Sequence, residues 1–232
     1  MGQLRAVMFD VGETIVDESV EYGTWADWLG VPRHTFSAVF GAVIARGDDV
    51  RTAFEHFRPG FDLDRERARR AADGFPERFT VTDVYADVWP CLAALRAQRL
   101  FVGLAGNQSA HGGAMVRSLG LPVIGTSAEW GVTKPDPGFF VTLAATIGFA
   151  PAEILYVGDR LDNDMRPAQS VGMPAAALRR GPWGHVLRDP QTLDRCLFRL
   201  DSLVDLPGLV AAHNAARGDE RCRWTSSNSC TG

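Results

Sequence analysis

The chain has 232 residues, of which 46% are hydrophobic and 22% are charged, with a formal net charge of −4 and a sequence pI near 5.7. These proportions are typical of a soluble globular protein, and the acidic balance gives no electrostatic basis for binding nucleic acid or an anionic membrane. No apolar run reaches the length of a membrane span, no leader precedes the first strand, and the four cysteines lack zinc-ligand spacing. We therefore expect a cytoplasmic protein without membrane or nucleic-acid partners.

The first predicted element is an apolar run, residues 6–9, that ends at the carboxylate of Asp10. Such a run is typical of a buried strand in a parallel sheet. Ligands of open α/β sheets bind beyond the carboxyl ends of the strands, so Asp10 lies where chemistry is expected. Gly12 and Thr14 suit the strand-to-loop turn that follows. The alternative is an aspartate that only caps this turn, since short motifs have high false-positive rates.

After Thr14 the periodicity becomes helical. Three stripes rich in aromatic residues follow: Trp25, Trp28 and Leu29; Phe36, Val39, Phe40, Val43 and Ile44; and Val50, Phe54 and Phe57. Their spacing predicts three helices, whose aromatic side chains we expect to form a small core rather than a ligand-binding box. The arginine- and glutamate-rich run 64–73 predicts a fourth, solvated helix, with a substrate-binding basic patch as the alternative.

The rest of the chain alternates strand-like and helix-like segments. Counting the first run, we predict strands near residues 5–10, 100–105, 122–126, 154–158 and 174–178. This alternation predicts an α/β fold, a doubly wound parallel sheet with an inserted helical segment. The core domain would comprise residues 1–17 and 81–212, and the insertion residues 18–80. Residues 213–232 lack periodicity, so we expect a disordered or loosely docked polar tail.

Three further strand ends carry polar residues. Gly106 and Asn107 follow the second strand, Lys134 follows the third, and Asp159 and Asp164 follow the fourth. Lys134 is the only lysine among 24 lysine and arginine residues. Arginine replaces lysine readily on a solvated surface but not where a compact ammonium is needed, which favours a role in a site over chance survival.

Together these strand ends resemble the haloacid dehalogenase (HAD) superfamily over about residues 5–205. Its signatures are Asp-x-Asp-x-Thr, a Ser/Thr, a Lys and Gly-Asp-x-x-x-x-Asp. The matching positions are Asp10 with Thr14, Lys134, and Gly158-Asp159 with Asp164. Two positions depart from the pattern, because Gly12 replaces the second Asp and Gly106 stands in the Ser/Thr place. The segment 18–80 resembles the helical cap of many family members.

The resemblance implies a Mg²⁺-dependent phosphatase acting on a small phosphorylated molecule. Asp10 would attack phosphorus and form an aspartyl-phosphate, while Lys134 would hold the nucleophile and a phosphoryl oxygen. The metal ligands would be the side chains of Asp10 and Asp159, the main-chain carbonyl of Gly12, and Asp164 directly or through water. The substrate would also contact backbone groups at four positions: Val11, Gly12, Gly106 and Asn107.

The missing second Asp limits this interpretation. In hydrolytic relatives that residue is the acid–base group, and such a group typically contributes about 10²–10⁴-fold in rate. Glu13, Asp17 and Asp162 are candidates to replace it, although we expect Glu13 to be a surface carboxylate because adjacent residues often point apart. One alternative is a pseudoenzyme that keeps the metal and anion pocket but turns over little. A second alternative is that the acidic residues at the strand ends only cap helices and have no catalytic role.

Overall fold

The computed structural model of the chain describes residues 2–227, with side chains as far as Arg217. Within these residues lies one six-stranded sheet, in which each strand is parallel to its neighbours. Its strands are β1 (Ala6–Phe9), β2 (Phe101–Gly106), β3 (Val123–Thr126), β4 (Ile154–Gly158), β5 (Ala175–Leu178) and β6 (Phe198–Leu200). The predicted doubly wound α/β fold is confirmed, and so are the five predicted strands, whereas β6 was not predicted.

The strand order, β3-β2-β1-β4-β5-β6, places β1 at the centre of the sheet. All four residues of β1 are buried, and Phe9 is in register with Leu104 of β2 and with Val157 of β4. The chain leaves β1 toward β2 on one side and later returns to β4 on the other. The order therefore reverses beside β1, and the crevice at such a reversal is where α/β sheets bind ligands.

Residues 18–80, called here the helical insertion, form four helices. They are α1 (Ser19–Leu29), α2 (Arg33–Arg46), α3 (Arg51–Phe57) and α4 (Leu63–Ala72). Their aromatic side chains pack against one another, as predicted; the rings of Trp25 and Phe54, for example, meet edge to face with centroids 5.6 Å apart. Gly30 ends α1 with a φ of 71°, a left-handed conformation that glycine adopts without strain. The division of the chain into core and cap domains stays a prediction.

The fourth helix is solvated over most of its length, as predicted, with one exception. Arg70 of α4 is only 2% exposed. Its guanidinium donates to Glu21 at 3.1 Å and to Thr24 at 2.8 Å, and lies 4.0 Å from the ring centroid of Trp25. The buried cation has carboxylate and hydroxyl partners, which offset the cost of removing it from water. Arg70 thus ties α4 to α1 instead of facing solvent.

Eight helices follow the insertion. They are α5 (Val88–Ala97), α6 (Ala110–Ser118), α7 (Ser127–Trp130), α8 (Pro137–Ile147), α9 (Arg166–Ser170), α10 (Gly181–Val186), α11 (Pro190–Asp194) and α12 (Leu206–Ser227). Two clusters of buried apolar side chains, one containing Phe9 and Leu155 and the other Met8 and Tyr156, come from alternate residues of β1 and β4 and therefore from opposite faces of the sheet. Within residues 2–227, no helix is both long and apolar enough to cross a membrane.

The short helix α10 connects the sheet to the helical insertion. Its Trp183 is 7% exposed and belongs to the aromatic core of the insertion. The ring of Trp183 meets that of Phe40 edge to face, with centroids 5.4 Å apart. The guanidinium of Arg160, which follows β4, lies 5.0 Å from the Trp183 ring centroid. The apolar core of the insertion therefore includes a side chain from the sheet-forming part of the chain.

The predicted polar tail is corrected over its first part. Helix α12 continues to Ser227. Its first turns are anchored by Leu206 and Val210, which are both fully buried. The side chain of Asn214 accepts a hydrogen bond from the Leu4 amide at 2.7 Å and donates to the Leu4 carbonyl at 2.9 Å. This helix thus docks beside the entry to β1. Residues 228–232, the end of the predicted tail, lie outside the described residues.

Candidate active site

Four side chains predicted from the sequence meet at the carboxyl edge of the sheet. Asp10 follows β1, Asp159 follows β4, Asp164 lies in a short π-helical turn (Leu161–Met165), and Lys134 comes from the loop between α7 and α8. Carboxylate oxygens of the three aspartates lie within 4.8 Å of one another. All four side chains are buried. The sheet therefore brings together residues that are up to 154 positions apart, since Asp10 and Asp164 lie at opposite ends of this set.

Lys134 stands between two of these carboxylates. Its Nζ lies 2.8 Å from Oδ1 of Asp10 and 2.5 Å from Oδ1 of Asp164. Burial by itself lowers the pKa of this lysine, but the charges of Asp10 and Asp164 outweigh burial and hold the pKa well above its ordinary value. Lys134 therefore supplies a fixed positive charge that orients the Asp10 carboxylate.

The site carries three carboxylates against one ammonium. Burial, followed by the charges of Asp164 and Asp10, raises the pKa of Asp159 well above its ordinary value. Burial also raises the pKa of Asp164 to about 6, although Lys134 opposes this rise. The Oδ2 atom of Asp159 is buried, and no group of the described residues hydrogen-bonds to it. Excess buried negative charge with an unpaired oxygen suits a divalent cation, so these residues fit a metal site.

Two glycines give the carboxylates room. A methyl group on Gly158 would overlap the Asp164 carboxylate, which explains why a glycine precedes Asp159. A methyl group on Gly106 would lie 2.6 Å from Oδ1 of Asp10, too close for a real side chain. In this structure the Asp10 carboxylate thus occupies space that a side chain at position 106 would need. A serine or threonine at position 106, as in the family pattern, would therefore require a different orientation of the Asp10 carboxylate.

Asn107, predicted as a phosphoryl contact, holds the lysine loop with its side chain. Its Nδ2 donates to the Lys134 carbonyl at 2.8 Å, and its Oδ1 accepts from the Lys134 amide at 2.9 Å. This pair of hydrogen bonds fixes the backbone from which the lysine side chain extends. Val11 and Gly12 follow Asp10 directly in the turn, and their contacts with a substrate stay predictions.

Sequence reasoning missed Tyr156, which completes the surroundings of Lys134. Its hydroxyl accepts from Nζ of Lys134 at 3.0 Å and donates to the Ala105 carbonyl at 2.7 Å. The ring is fully buried against Phe140. A tyrosine within the otherwise apolar strand β4 was the available signal, because a buried hydroxyl usually has a hydrogen-bond partner. Tyr156 therefore helps to hold the lysine head group in place.

We predict that Tyr156→Phe destabilises the fold. The change leaves the Ala105 carbonyl without its hydroxyl partner, and such a loss costs about 1–3 kcal/mol of the free energy of unfolding. Urea unfolding of the two proteins, measured without metal, gives this difference. Because the ring stays in place in this variant, the difference reports the loss of the hydroxyl and of its contacts with Ala105 and Lys134. Equal stability of Tyr156→Phe and wild type would contradict the prediction.

A cleft of about 360 Å³ lies between the helical insertion and the sheet edge. Glu18, Trp25 and Phe54 line it from the insertion, and Asn107 and Ser109 from the sheet edge. The cleft is open to solvent and borders the loop that holds Lys134. A small molecule in the cleft would thus contact both the insertion and the loop after β2.

Glu18, which no sequence pattern singled out, lies beside Gly12. A methyl group on Gly12 would be 2.7 Å from Oε1 and 3.0 Å from Oε2 of Glu18. Burial of the Glu18 carboxyl group, followed by the charges of Glu13 and Asp10, raises its pKa to about 8. The side chain thus folds back from the start of α1 over the turn after β1. Only the folded turn brings these residues together, so sequence spacing gave no signal.

The three carboxylates predicted to replace the missing aspartate have other partners. Glu13 is buried, not on the surface as expected, and accepts a hydrogen bond from the Tyr85 hydroxyl at 2.8 Å. Asp17 accepts from the backbone amide of Ser19 at 2.8 Å, just before α1. Asp162 forms an ion pair with Arg160 at 2.8 Å. Each of these three side chains is therefore engaged in a contact of its own.

Comparison with known proteins gives one family. A sequence model of the haloacid dehalogenase-like hydrolases matches residues 4–172. A glyceraldehyde 3-phosphate phosphatase of Methanopyrus kandleri is 47% identical over 57 residues, which are 25% of this chain and 24% of that protein. A phosphoserine phosphatase of Thermus thermophilus is 31% identical over 123 residues, which are 50% of this chain and 49% of that protein. The chain thus spans about a quarter to a half of the length of the curated relatives it matches.

A solved structure matches over almost the whole chain. The crystal structure of a HAD-superfamily hydrolase, subfamily IA, variant 1, from Geobacter sulfurreducens has a TM-score of 0.64 and is 21% identical. The match covers 90% of this chain and 97% of that one. At this identity the likeness shows the fold alone, and it includes both the sheet and the helical insertion, because 90% of the chain cannot be matched without part of the latter.

Proposed function

The chain belongs to the haloacid dehalogenase-like hydrolase family, and from that premise we propose that it is a phosphatase that hydrolyses small phosphomonoesters through an aspartyl-phosphate on Asp10. The observation that carries this proposal is the contact between the buried Asp10 carboxylate and the only lysine of the chain, Lys134, at 2.8 Å. A carboxylate held by a fixed cation at the carboxyl edge of the sheet is suited to attack an electrophilic phosphorus.

Mg²⁺ is the cation we propose for the three carboxylates. The side chains of Asp10 and Asp159 would bind it with the Gly12 carbonyl, and Asp164 would bind it directly or through water. The unpaired Oδ2 of Asp159 supports this assignment, as does the oxygen-only set of donors. When bound, Mg²⁺ would reduce the repulsion between an anionic nucleophile and a phosphoryl group.

The side chains of the protein would then have distinct tasks. Asp10 would form a bond to phosphorus as the bond to the leaving oxygen breaks, and water would later release phosphate and restore the carboxylate. Lys134 would keep Asp10 aimed at phosphorus and neutralise a phosphoryl oxygen. Backbone amides near Val11, Gly106 and Asn107 would provide uncharged donors. The helical insertion would act as a cap that limits water in the cleft.

We propose a small substrate. The named relatives are phosphatases of glyceraldehyde 3-phosphate and of phosphoserine, two three-carbon phosphomonoesters. The cleft volume of about 360 Å³ suits molecules of this size. Both signs of charge line the cleft, with Arg51 and Arg67 on the insertion and Glu21 and Glu77 near them. A polar or charged substrate is therefore favoured over a purely apolar one.

A screen of purified protein against phosphomonoesters, with and without Mg²⁺, tests this function. We expect phosphate release that requires Mg²⁺, together with a rapid burst of p-nitrophenolate from p-nitrophenyl phosphate. A phosphorylated Asp10, trapped by acid quenching and located by mass spectrometry, would identify the nucleophile. No phosphate release and no phosphoryl-enzyme with any ester would contradict the proposal and favour a binding protein without turnover.

We also predict that Mg²⁺ binding depends on the aspartates that converge at the sheet edge. Asp159→Asn removes the charge of a buried side chain whose Oδ2 atom has no other partner, so the dissociation constant should rise at least about tenfold, or ~1.4 kcal/mol. Isothermal titration calorimetry measures this change, and Asp10→Ala should weaken binding similarly. Asp162→Asn is the matched control, since Asp162 lies in the same loop but pairs with Arg160. Unchanged affinity in both site variants would place the metal elsewhere.

A further inference from the structure

We propose that Glu18 is the acid–base residue of this phosphatase and occupies the place that a side chain at position 12 would fill. This inference rests on the proposed function. The Glu18 carboxyl group lies against Gly12, with Oε1 2.7 Å, Cδ 2.9 Å and Oε2 3.0 Å from the position of a methyl group on that residue. Glu18 thus places its carboxyl group beside Gly12, the second residue after the nucleophile Asp10. In the sequence, Glu18 itself is eight residues from Asp10.

The contacts of the neighbouring carboxylates leave Glu18 available. Within the described residues, no hydrogen bond or ion pair engages the Glu18 carboxyl group, whereas Glu13 accepts from Tyr85 and Asp162 pairs with Arg160. Glu18 also lines the same cleft as Asn107, which holds the lysine loop. Its carboxyl group therefore lies beside the turn that follows Asp10 and at the cleft in which we propose that the substrate binds.

The proposed proton transfers balance over the two half-reactions. As the bond between Asp10 and phosphorus forms and the bond to the leaving oxygen breaks, the Glu18 carboxyl group gives its proton to that oxygen, and an alcohol leaves. The Glu18 carboxylate then takes a proton from a water molecule whose oxygen attacks phosphorus. The bond to Asp10 breaks, phosphate leaves, and Glu18 is again protonated.

The geometry also explains how position 12 tolerates glycine. Gly12 does not adopt a positive φ, so its backbone would accept other residues. What excludes a side chain is the carboxyl group of Glu18, which already fills the space. An aspartate at position 12 and a glutamate at position 18 are therefore alternatives that compete for one place.

The test compares esters with poor and good leaving groups. Glu18→Gln should lower kcat for an alkyl phosphate such as glycerol phosphate by at least about 10²-fold, the usual contribution of an acid–base group. The burst of p-nitrophenolate should persist, because that leaving group needs little protonation, while the steady-state rate after the burst falls. Glu55→Gln is the matched control, since Glu55 is an exposed residue of the same insertion.

A rescue experiment separates a catalytic role from a structural one. Gly12→Asp alone should lower activity, because its side chain overlaps Glu18. The double variant, which combines Gly12→Asp with Glu18→Ala and so leaves the space free for the aspartate, should be at least about tenfold faster than Glu18→Ala alone. Gly12→Asp should therefore lower the rate when Glu18 is present and raise it when Glu18 is absent. This reversal distinguishes a catalytic role of Glu18 from a structural one, even if Glu18→Gln melts at a lower temperature than wild type.

The outcomes distinguish the two proposals. A wild type that hydrolyses alkyl phosphates and a Glu18→Gln variant that does so equally well would overturn the role of Glu18 and leave the phosphatase proposal intact. A folded double variant without any recovery would also overturn it. A wild type that neither releases phosphate nor forms a phosphoryl-enzyme would overturn both.

Discussion

Replacing Asp10 with asparagine is expected to lower phosphomonoester hydrolysis by at least about 10³-fold, or ~4 kcal/mol of barrier. The amide has nearly the shape of the carboxylate and can still accept a hydrogen bond from Lys134, but it is a poor nucleophile toward phosphorus. Loss of a nucleophile removes the covalent route completely, so the fall in rate should be larger for Asp10→Asn than for the other variants proposed here.

The measurements are the steady-state rate with p-nitrophenyl phosphate and the amount of phosphoryl-enzyme after acid quenching. Both should fall together, because Asp10→Asn prevents the first half-reaction. The variant should remain folded, since Lys134 keeps its ion pair with Asp164 at 2.5 Å. Asp17→Asn is a matched control, because Asp17 lies in the same turn and its side chain accepts a hydrogen bond from the Ser19 amide, away from Lys134. A phosphoryl-enzyme that forms normally in Asp10→Asn would identify another nucleophile.

The second large effect is expected at Lys134. Lys134→Met removes the cation between Asp10 and Asp164, so the rate should fall by about 10²–10³-fold, as when a preorganised electrostatic group is lost. The variant also leaves two buried carboxylates without their shared partner, and breaking such a pair costs about 3–5 kcal/mol of the free energy of unfolding. Since Mg²⁺ would compensate part of that charge, the loss of stability should be smaller in its presence.

Lys134→Arg separates charge from shape. Arginine keeps the positive charge but replaces the compact ammonium with a wide planar group in a fully buried space, so the rate should still fall at least about tenfold. Arg46→Lys is the converse control, because Arg46 is exposed and forms an ion pair with Asp48; the activity of this variant should not change. Near-normal hydrolysis by Lys134→Arg would show that the single lysine is incidental.

The parts of the structure that sequence predicted are those with a local signal. Each of the five predicted strands is an apolar run, and Asp10 and Asp159 stand directly after two of them, so parallel pairing was enough to bring the two together. Strand β6 gave no such signal, because it has three residues and Arg199 is exposed at the sheet edge. Its place depends on pairing with β5, which only the folded sheet provides.

The features that sequence missed depend on contacts across the fold. Glu18 meets Gly12 only because the turn after β1 folds back, Tyr156 meets Lys134 across the sheet edge, and Asn214 meets Leu4 across 210 positions. Glu13 was placed on the surface by an argument about neighbouring residues in regular structure. In the turn it adopts a φ of 53°, which carries its side chain into the interior beside Tyr85.

The burial of Trp183 in the helical insertion sets a limit on how the cleft can open. A hinge motion that separates α2 from the sheet must expose this indole or carry α10 along with the insertion. Exposing a large buried apolar side chain costs about 1.5–3 kcal/mol, which corresponds to an open population between about 7% and about 0.6%. Arg160 lies against the same indole and its amide donates to Asp164, so each opening would also disturb the loop that we propose binds the metal. Product release and the geometry of the carboxylates proposed to be catalytic would then be linked through one tryptophan.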